Sequence, residues 1–118
     1  GYALASPGAK IVTQASWYST EACHWNPDPR CPMANGRSLY EQETTQPYFV
    51  ASWDYPFGTS LELTGPTGTH IRCVVTDHGP NRKLYHAGRL LDLSKACFQA
   101  LAPLSQGIVE VEITEVRP

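Results

Sequence analysis

Alternation of apolar and polar positions is the strongest signal along this chain. In "GIVEVEITEV" (107–116), Val109, Val111 and Ile113 share one face and Glu110, Glu112 and Thr114 the other. That is the period of a half-buried strand. "SLELTG" (60–65) alternates in the same way, "PTG" turns the chain, and "THIRCVVTD" (69–77) returns, so the pattern predicts a hairpin. "KIVTQASWY" (10–18) and "PYFVAS" (47–52) are rich in β-branched and aromatic residues and read as further strands. "LLDLS" (90–94) reads as a short strand end. It runs into a helix over "KACFQALA" (95–102), capped by Ser94 and ended by Pro103. "YPFGT" (55–59) reads as a turn and "HGPNRKLYHAGR" (78–89) as a loop. Many short strands, little helix and Gly/Pro turns predict a mainly-β small barrel.

Two stretches break this pattern. Residues 1–9 are small and polar with Pro7 and Gly8, and are expected to form a flexible N-terminal arm on a domain spanning 10–118. Residues 19–47 carry Pro27, Pro29, Pro32 and Pro47 with little periodicity. That is a long excursion, and long loops in compact domains are usually functional.

Composition narrows the class. The 118 residues fit one domain, are 42% hydrophobic and only 17% charged, and carry a net charge of -2. This excludes disorder by composition. Arg82, Lys83 and Arg89 are the densest positive region, too weak a footprint for nucleic acid. No apolar run approaches the ~20 residues needed to span a bilayer. Gly1 reads as the start of a mature chain without a leader, and a monomer is expected. The four cysteines allow three pairings. Cys23–Cys31 around a short loop and Cys73–Cys97 between strand and helix are the preferred pair. Closing loops of about nine and 25 residues is worth roughly 2.5 and 3.5 kcal/mol. Such staples predict a secreted, extracellular protein. Neither cysteine pair has the close spacing of a metal site, and "DHGPNRKLYH", with Asp77, His78 and His86, fits no standard ligand spacing. No metal or cofactor is expected.

Four stretches in order carry a resemblance: "ASWYS" (15–19), "YPFGTSLEL" (55–63), "IRCVVTDHGP" (71–80) and "LLDLSKACFQAL" (90–101), closed by "GIVEVEI" (107–113). Together they resemble the rare-lipoprotein-A-like double-psi β-barrels, which are also similar to expansins, barwin-type proteins and small endoglucanases. The resemblance implies a six-stranded double-psi β-barrel with one or two short helices, two disulfides and a groove across one face. It makes Asp92 a candidate general acid for glycan cleavage, with Asp77 as a possible second carboxylate. Enzymatic members support that acid with a Gly-Glu pair and an Ala-Ala-His stretch. Here Arg37 follows Gly36 where the Glu should stand, and Ser52 stands near the His position. Glu21 lies close to, but shifted from, the acid of the small endoglucanases. Hydrolysis generally needs two carboxyls across the scissile bond. A lytic transglycosylase can manage with one acid plus such supports, but both are replaced here, so the expectation is a degenerate groove and no enzyme, with Asp92 accepting bonds from loop amides or pairing with Arg89. Trp17 and Tyr18 are expected in the core, and Asp77 on turn amides.

The chain also resembles the small, very stable papain-inhibitor members of this barrel group. That implies non-covalent blocking of papain-like cysteine peptidases, and some serine peptidases, by rigid loops. The alternative is a peptidoglycan lytic transglycosylase or glycan-binding module that uses the groove and Asp92. The loop "CHWNPDPRC" (23–31) suits inhibition: its ends are clamped, and Pro27 and Pro29 fix φ. Trp and Arg are frequent interface anchors. Contact candidates are His24, Trp25, Asn26, Pro27 and Arg30 in this loop, Trp53, Asp54 and Tyr55 in a second, and Gly1 and Tyr2 in the arm. A minor expectation concerns "EQETTQ" (41–46), where exposed Gln42 and Gln46 would serve a transglutaminase as acyl donors.

Overall fold

The computed structural model describes residues 10–118, so the arm and its candidates Gly1 and Tyr2 lie outside the described residues. Six strands form one closed barrel: β1 (Ile11–Tyr18), β2 (Phe49–Ser52), β3 (Ser60–Thr64), β4 (His70–Asp77), β5 (Arg89–Ser94) and β6 (Val109–Arg117). Their order around the barrel is β1-β5-β2-β4-β3-β6. The pairs β1–β5 and β2–β4 are parallel and the others antiparallel. Alternation drives closure, because Leu61, Leu63, Val75, Leu91, Leu93 and Val111 all project into the same core. The Cys73–Cys97 disulfide is buried there, and Cys23–Cys31 closes the loop after β1, both as expected.

Among the described residues three α-helices decorate the barrel: α1 (Leu39–Thr45), α2 (Arg82–His86) and α3 (Lys95–Leu101). Ser94 caps α3 by accepting from the Cys97 amide, as the sequence suggests. α1 and α2 fall in stretches read as loop. α1 buries only Leu39 and Gln42, and α2 buries nothing, so neither writes an apolar stripe. Asn81 caps α2, its side chain accepting from the Leu84 amide, whereas Ser38 at the start of α1 makes no side-chain cap bond. The long excursion is therefore structured. Cys23, Cys31, Met33, Leu39 and Phe49 form a second small core, covered by Tyr18 and Val74, on the outside of the barrel.

Candidate functional site

The barrel register builds the floor of a groove. Ser16 pairs with Asp92, Asp92 with Ala51, and Ala51 with Asp77. Leu91 and Leu93 fill the core, so the alternate residue Asp92 points outward. Tyr18, Ala51, Asp77 and Asp92 line one cavity of about 170 Å³. Two strand spacings separate the two acids, which places their Cα atoms roughly 10 Å apart. Ala51 between them is small enough to leave the cavity open. The chain turns over it at Gly79, whose φ is +156° and where a Cβ would come within 3.1 Å of the Ala51 Cβ. Only glycine fits there.

Asp92 sits in this floor with one hydrogen bond, from the Ser16 hydroxyl at 3.1 Å. Burial pushes its pKa up to about 6, with Asp77 adding to the rise, against the pull of the Ser16 bond and the more distant Arg89. No ion pair to Asp92 occurs among the described residues. The expected pairing with Arg89 is thus not made, and the expected loop-amide bonds are replaced by a hydroxyl.

Asp77 is differently placed. Its Oδ1 accepts from the Ala34 and His78 amides at 2.8 and 2.9 Å, and its Oδ2 accepts from the Tyr18 hydroxyl at 3.1 Å. The turn-amide bond was expected. The other two tie the excursion and β1 to β4. Burial, then Asp77, raises the Tyr18 pKa, so this hydroxyl keeps its proton. Of the two aromatics expected in the core, Trp17 packs on Phe98 and donates to the Leu104 carbonyl. Tyr18 instead crosses the outer face, edge-on to Phe49.

One wall of the groove is a stack. His78 lies parallel to Trp53 at 4.9 Å, Arg82 sits 4.2 Å from the Trp53 ring centre, and Phe57 contacts His78 at 4.8 Å. The Trp53 Nε1 donates to the Pro80 carbonyl. Trp53 is therefore a wall of the groove rather than a free anchor. Asp54 accepts from the Tyr85 hydroxyl at 2.6 Å. Tyr55, read as an exposed anchor, is only 4% exposed and belongs to the core, because its irregular turn carries the ring inward. Ser52 is fully buried and its hydroxyl accepts from the Asp54 amide, so it does not face the groove. Glu21 is exposed and paired to Lys95 at 2.9 Å, away from the groove lining. Among the described residues no three His, Cys, Asp or Glu side chains gather as a metal site, and His86 packs on Tyr85. No described helix is long and apolar enough to cross a membrane.

The disulfide loop forms a separate feature. Trp25 is 81% exposed, with His24 against it at 4.6 Å. Asn26, Pro27 and Arg30 are exposed as well. Arg30 pairs with Asp28 at 2.9 Å within the loop. Gln42 corrects another expectation: it is buried on α1 and its Nε2 donates to the Gln46 carbonyl, while Gln46 itself stays exposed.

A double-psi β-barrel family model described as "Lytic transglycolase" matches residues 10–113. The chain belongs to this family. A probable endolytic peptidoglycan transglycosylase RlpA of Treponema pallidum (strain Nichols) is 38% identical over 72 residues, 60% of this chain. The chain spans 21% of that curated relative's length. Among solved structures, the Streptomyces papain inhibitor is 24% identical with a TM-score of 0.62, over 92% of this chain and 96% of that one. An apo expansin of Clavibacter michiganensis is 23% identical with a TM-score of 0.62, over 87% of this chain and 48% of that one. A mutant of a Clavibacter michiganensis expansin in complex with cellohexaose is similar too, at 23% identity and a TM-score of 0.58 over 86% of this chain and 48% of that one. At 23–24% identity the likeness to these three structures concerns architecture alone.

Proposed function

We propose that this family member, acting outside the cell, holds a cell-wall-type glycan strand in the Asp92 groove without cleaving it efficiently. The observation that carries the reading is the isolation of Asp92. It is a carboxyl in an open groove with its pKa raised to about 6, one hydroxyl partner and no paired cation among the described residues. A protonated carboxyl donates well to a glycosidic or hydroxyl oxygen. The second carboxylate, Asp77, spends its oxygens on three donors that hold the fold together. Asp92 therefore lacks a free second carboxylate for hydrolysis, and Arg37 and the buried Ser52 stand where a lytic transglycosylase would support its single acid. Membership of the transglycolase family and the RlpA relative support the glycan as ligand.

The test is co-sedimentation with purified insoluble peptidoglycan, followed by analysis of released sugars. Retention with no anhydro-sugar release is expected, and retention should weaken above pH 6 as Asp92 ionises. Loss of retention in Asp92→Ala would tie it to the groove. Anhydro-sugar release abolished by Asp92→Asn would replace the binding reading with an enzymatic one.

A second reading, inhibition of papain-like peptidases, is favoured by a different observation. Trp25 stands exposed on a loop closed by a disulfide and stiffened by two prolines. A rigid anchor of this kind loses little entropy on docking. The near-complete mutual coverage with the Streptomyces papain inhibitor supports it at the level of fold. Here Trp25→Ala should weaken inhibition of papain at least about tenfold, as expected for a dominant interface anchor. An unchanged inhibition curve would remove the loop from that role.

A further inference from the structure

The disulfide loop carries one peptide bond that its surroundings set apart. A short 3-10 helix over Thr20–Trp25 ends on Asn26, whose φ of -84° and ψ of 128° are those of an extended chain. Trp25, Asn26 and Pro27 are all exposed, and among the described residues no hydrogen bond reaches the Asn26 carbonyl oxygen. The Trp25 ring is propped by His24, whose Nδ1 donates to the Glu21 carbonyl at 2.7 Å. The amides around this point are already engaged. The Asn26 amide donates to the Cys23 carbonyl at 2.9 Å. The Asp28, Arg30 and Cys31 amides donate to Asn26 Oδ1, Asp28 Oδ1 and the Asp28 carbonyl, each at 2.9 Å.

Extended segments are recognised through their backbone, with specificity from side chains seated in pockets. Asn26 offers the extended backbone and Trp25 the side chain, and the bond that follows is Asn26–Pro27, an imide. To cleave it, a peptidase thiolate would add to the Asn26 carbonyl carbon. The C–N bond would break, and the nitrogen of residue 27 would leave with a proton from the enzyme's general acid. Water would then hydrolyse the thioester, leaving a carboxylate on Asn26 and restoring the thiolate. Proline obstructs this departure, because its ring puts a carbon where the amide hydrogen would be and fixes φ at about -65°. The leaving side is also tethered: Asn26 Oδ1 reaches across the bond to the Asp28 amide, and the Cys23–Cys31 disulfide ties the two flanks. A leaving nitrogen so held stays at high effective concentration, which favours resealing.

We propose that this loop enters a cysteine-peptidase cleft in the manner of a substrate, with Trp25 in an apolar subsite and the Asn26 carbonyl at the thiolate, and blocks the cleft because Asn26–Pro27 resists cleavage. This rests on the peptidase reading. It adds the mode of blocking and the residue, Pro27, that separates an inhibitor from a substrate.

The test incubates papain with the unmodified protein and with Pro27→Ala, and follows both by mass spectrometry in denaturant, before and after disulfide reduction. The unmodified protein is expected to inhibit and to stay intact. Pro27→Ala should be cut once, after Asn26, with the gain of one water, and its two pieces should separate only on reduction. Its inhibition should fade as the cut proceeds. Adding Trp25→Ala should slow that cut at least about tenfold. Pro27 is exposed, so the variant is expected to fold, which circular dichroism checks. If the folded variant stays uncut, is cut first at another bond, or is cut as fast without Trp25, the loop is not held as a substrate, and inhibition by another surface stands. A second measurement needs no variant. Papain whose thiol carries a covalent blocker filling the cleft should not bind the unmodified protein, and undiminished binding overturns the proposal as well. Absence of any inhibition by the unmodified protein overturns both this mode and the peptidase reading.

Discussion

Two outward faces of the same barrel handle their charges in opposite ways. On the β3–β4–β6 side, Glu62 and Glu115 pair across strands, and Arg72 bridges them at 3.3 and 3.7 Å. Arg117 takes Glu115 at 2.6 Å. Every carboxylate of that cluster has a cation, and all of these side chains are partly in water. On the β1–β5–β2–β4 side, Asp92 and Asp77 share a cavity and have no salt-bridged cation among the described residues. One is left with a raised pKa and the other is consumed by neutral donors. The first face is solved for solubility. The second carries an electrostatic cost, and a carboxyl with a raised pKa in a cleft is a candidate for function.

The contrast can be broken most severely at Asp77. Asp77→Ala leaves a mostly buried Tyr18 hydroxyl and two amides without their acceptor. It should cost about 3 kcal/mol in urea unfolding and loosen the excursion around Ala34. A cost below about 1 kcal/mol would mean that water replaces the carboxylate easily.

Asp92 sharpens the comparison with the opposite sign. Its folded pKa lies above the unfolded value, so the folded state holds the proton more tightly. The stability this confers is complete below about pH 4 and is lost as pH rises through about 6. Asp92→Asn removes the ionisation and can keep the Ser16 bond. It should therefore stabilise the protein by on the order of 2 kcal/mol at pH 8 and by almost nothing at pH 4, in denaturation series at both pH values. Equal effects at both would show that the gain is not electrostatic. The smallest effect belongs to the opposite face. Arg72→Ala should change stability by about 0.5 kcal/mol or less, with a further decline as salt rises.

The strands were legible because a barrel's inside and outside are written into period-2 alternation, as in β3 and β6. The α3 cap was legible because Ser94 and Pro103 act locally. α1 and α2 escaped because helices that lie on a surface need no apolar stripe. Tyr55 and Gln42 were misplaced for a related reason: in an irregular turn or a polar helix, local sequence does not say which way a side chain faces. Trp25 was read as projecting from its loop, and there the disulfide and the prolines do fix the outcome locally.

The sequence by itself determined the barrel's strands through their alternation, favoured the two staples among three pairings, and singled out Asp92 through the family resemblance. Only the tertiary structure decided what the acid faces. Ser16 and Asp92 are 76 residues apart in the chain, and Tyr18 and Asp77 are 59 apart. The parallel pairings β1–β5 and β2–β4 bring them to one surface. Contacts that close such long loops depend on strand order and register, which no local pattern encodes.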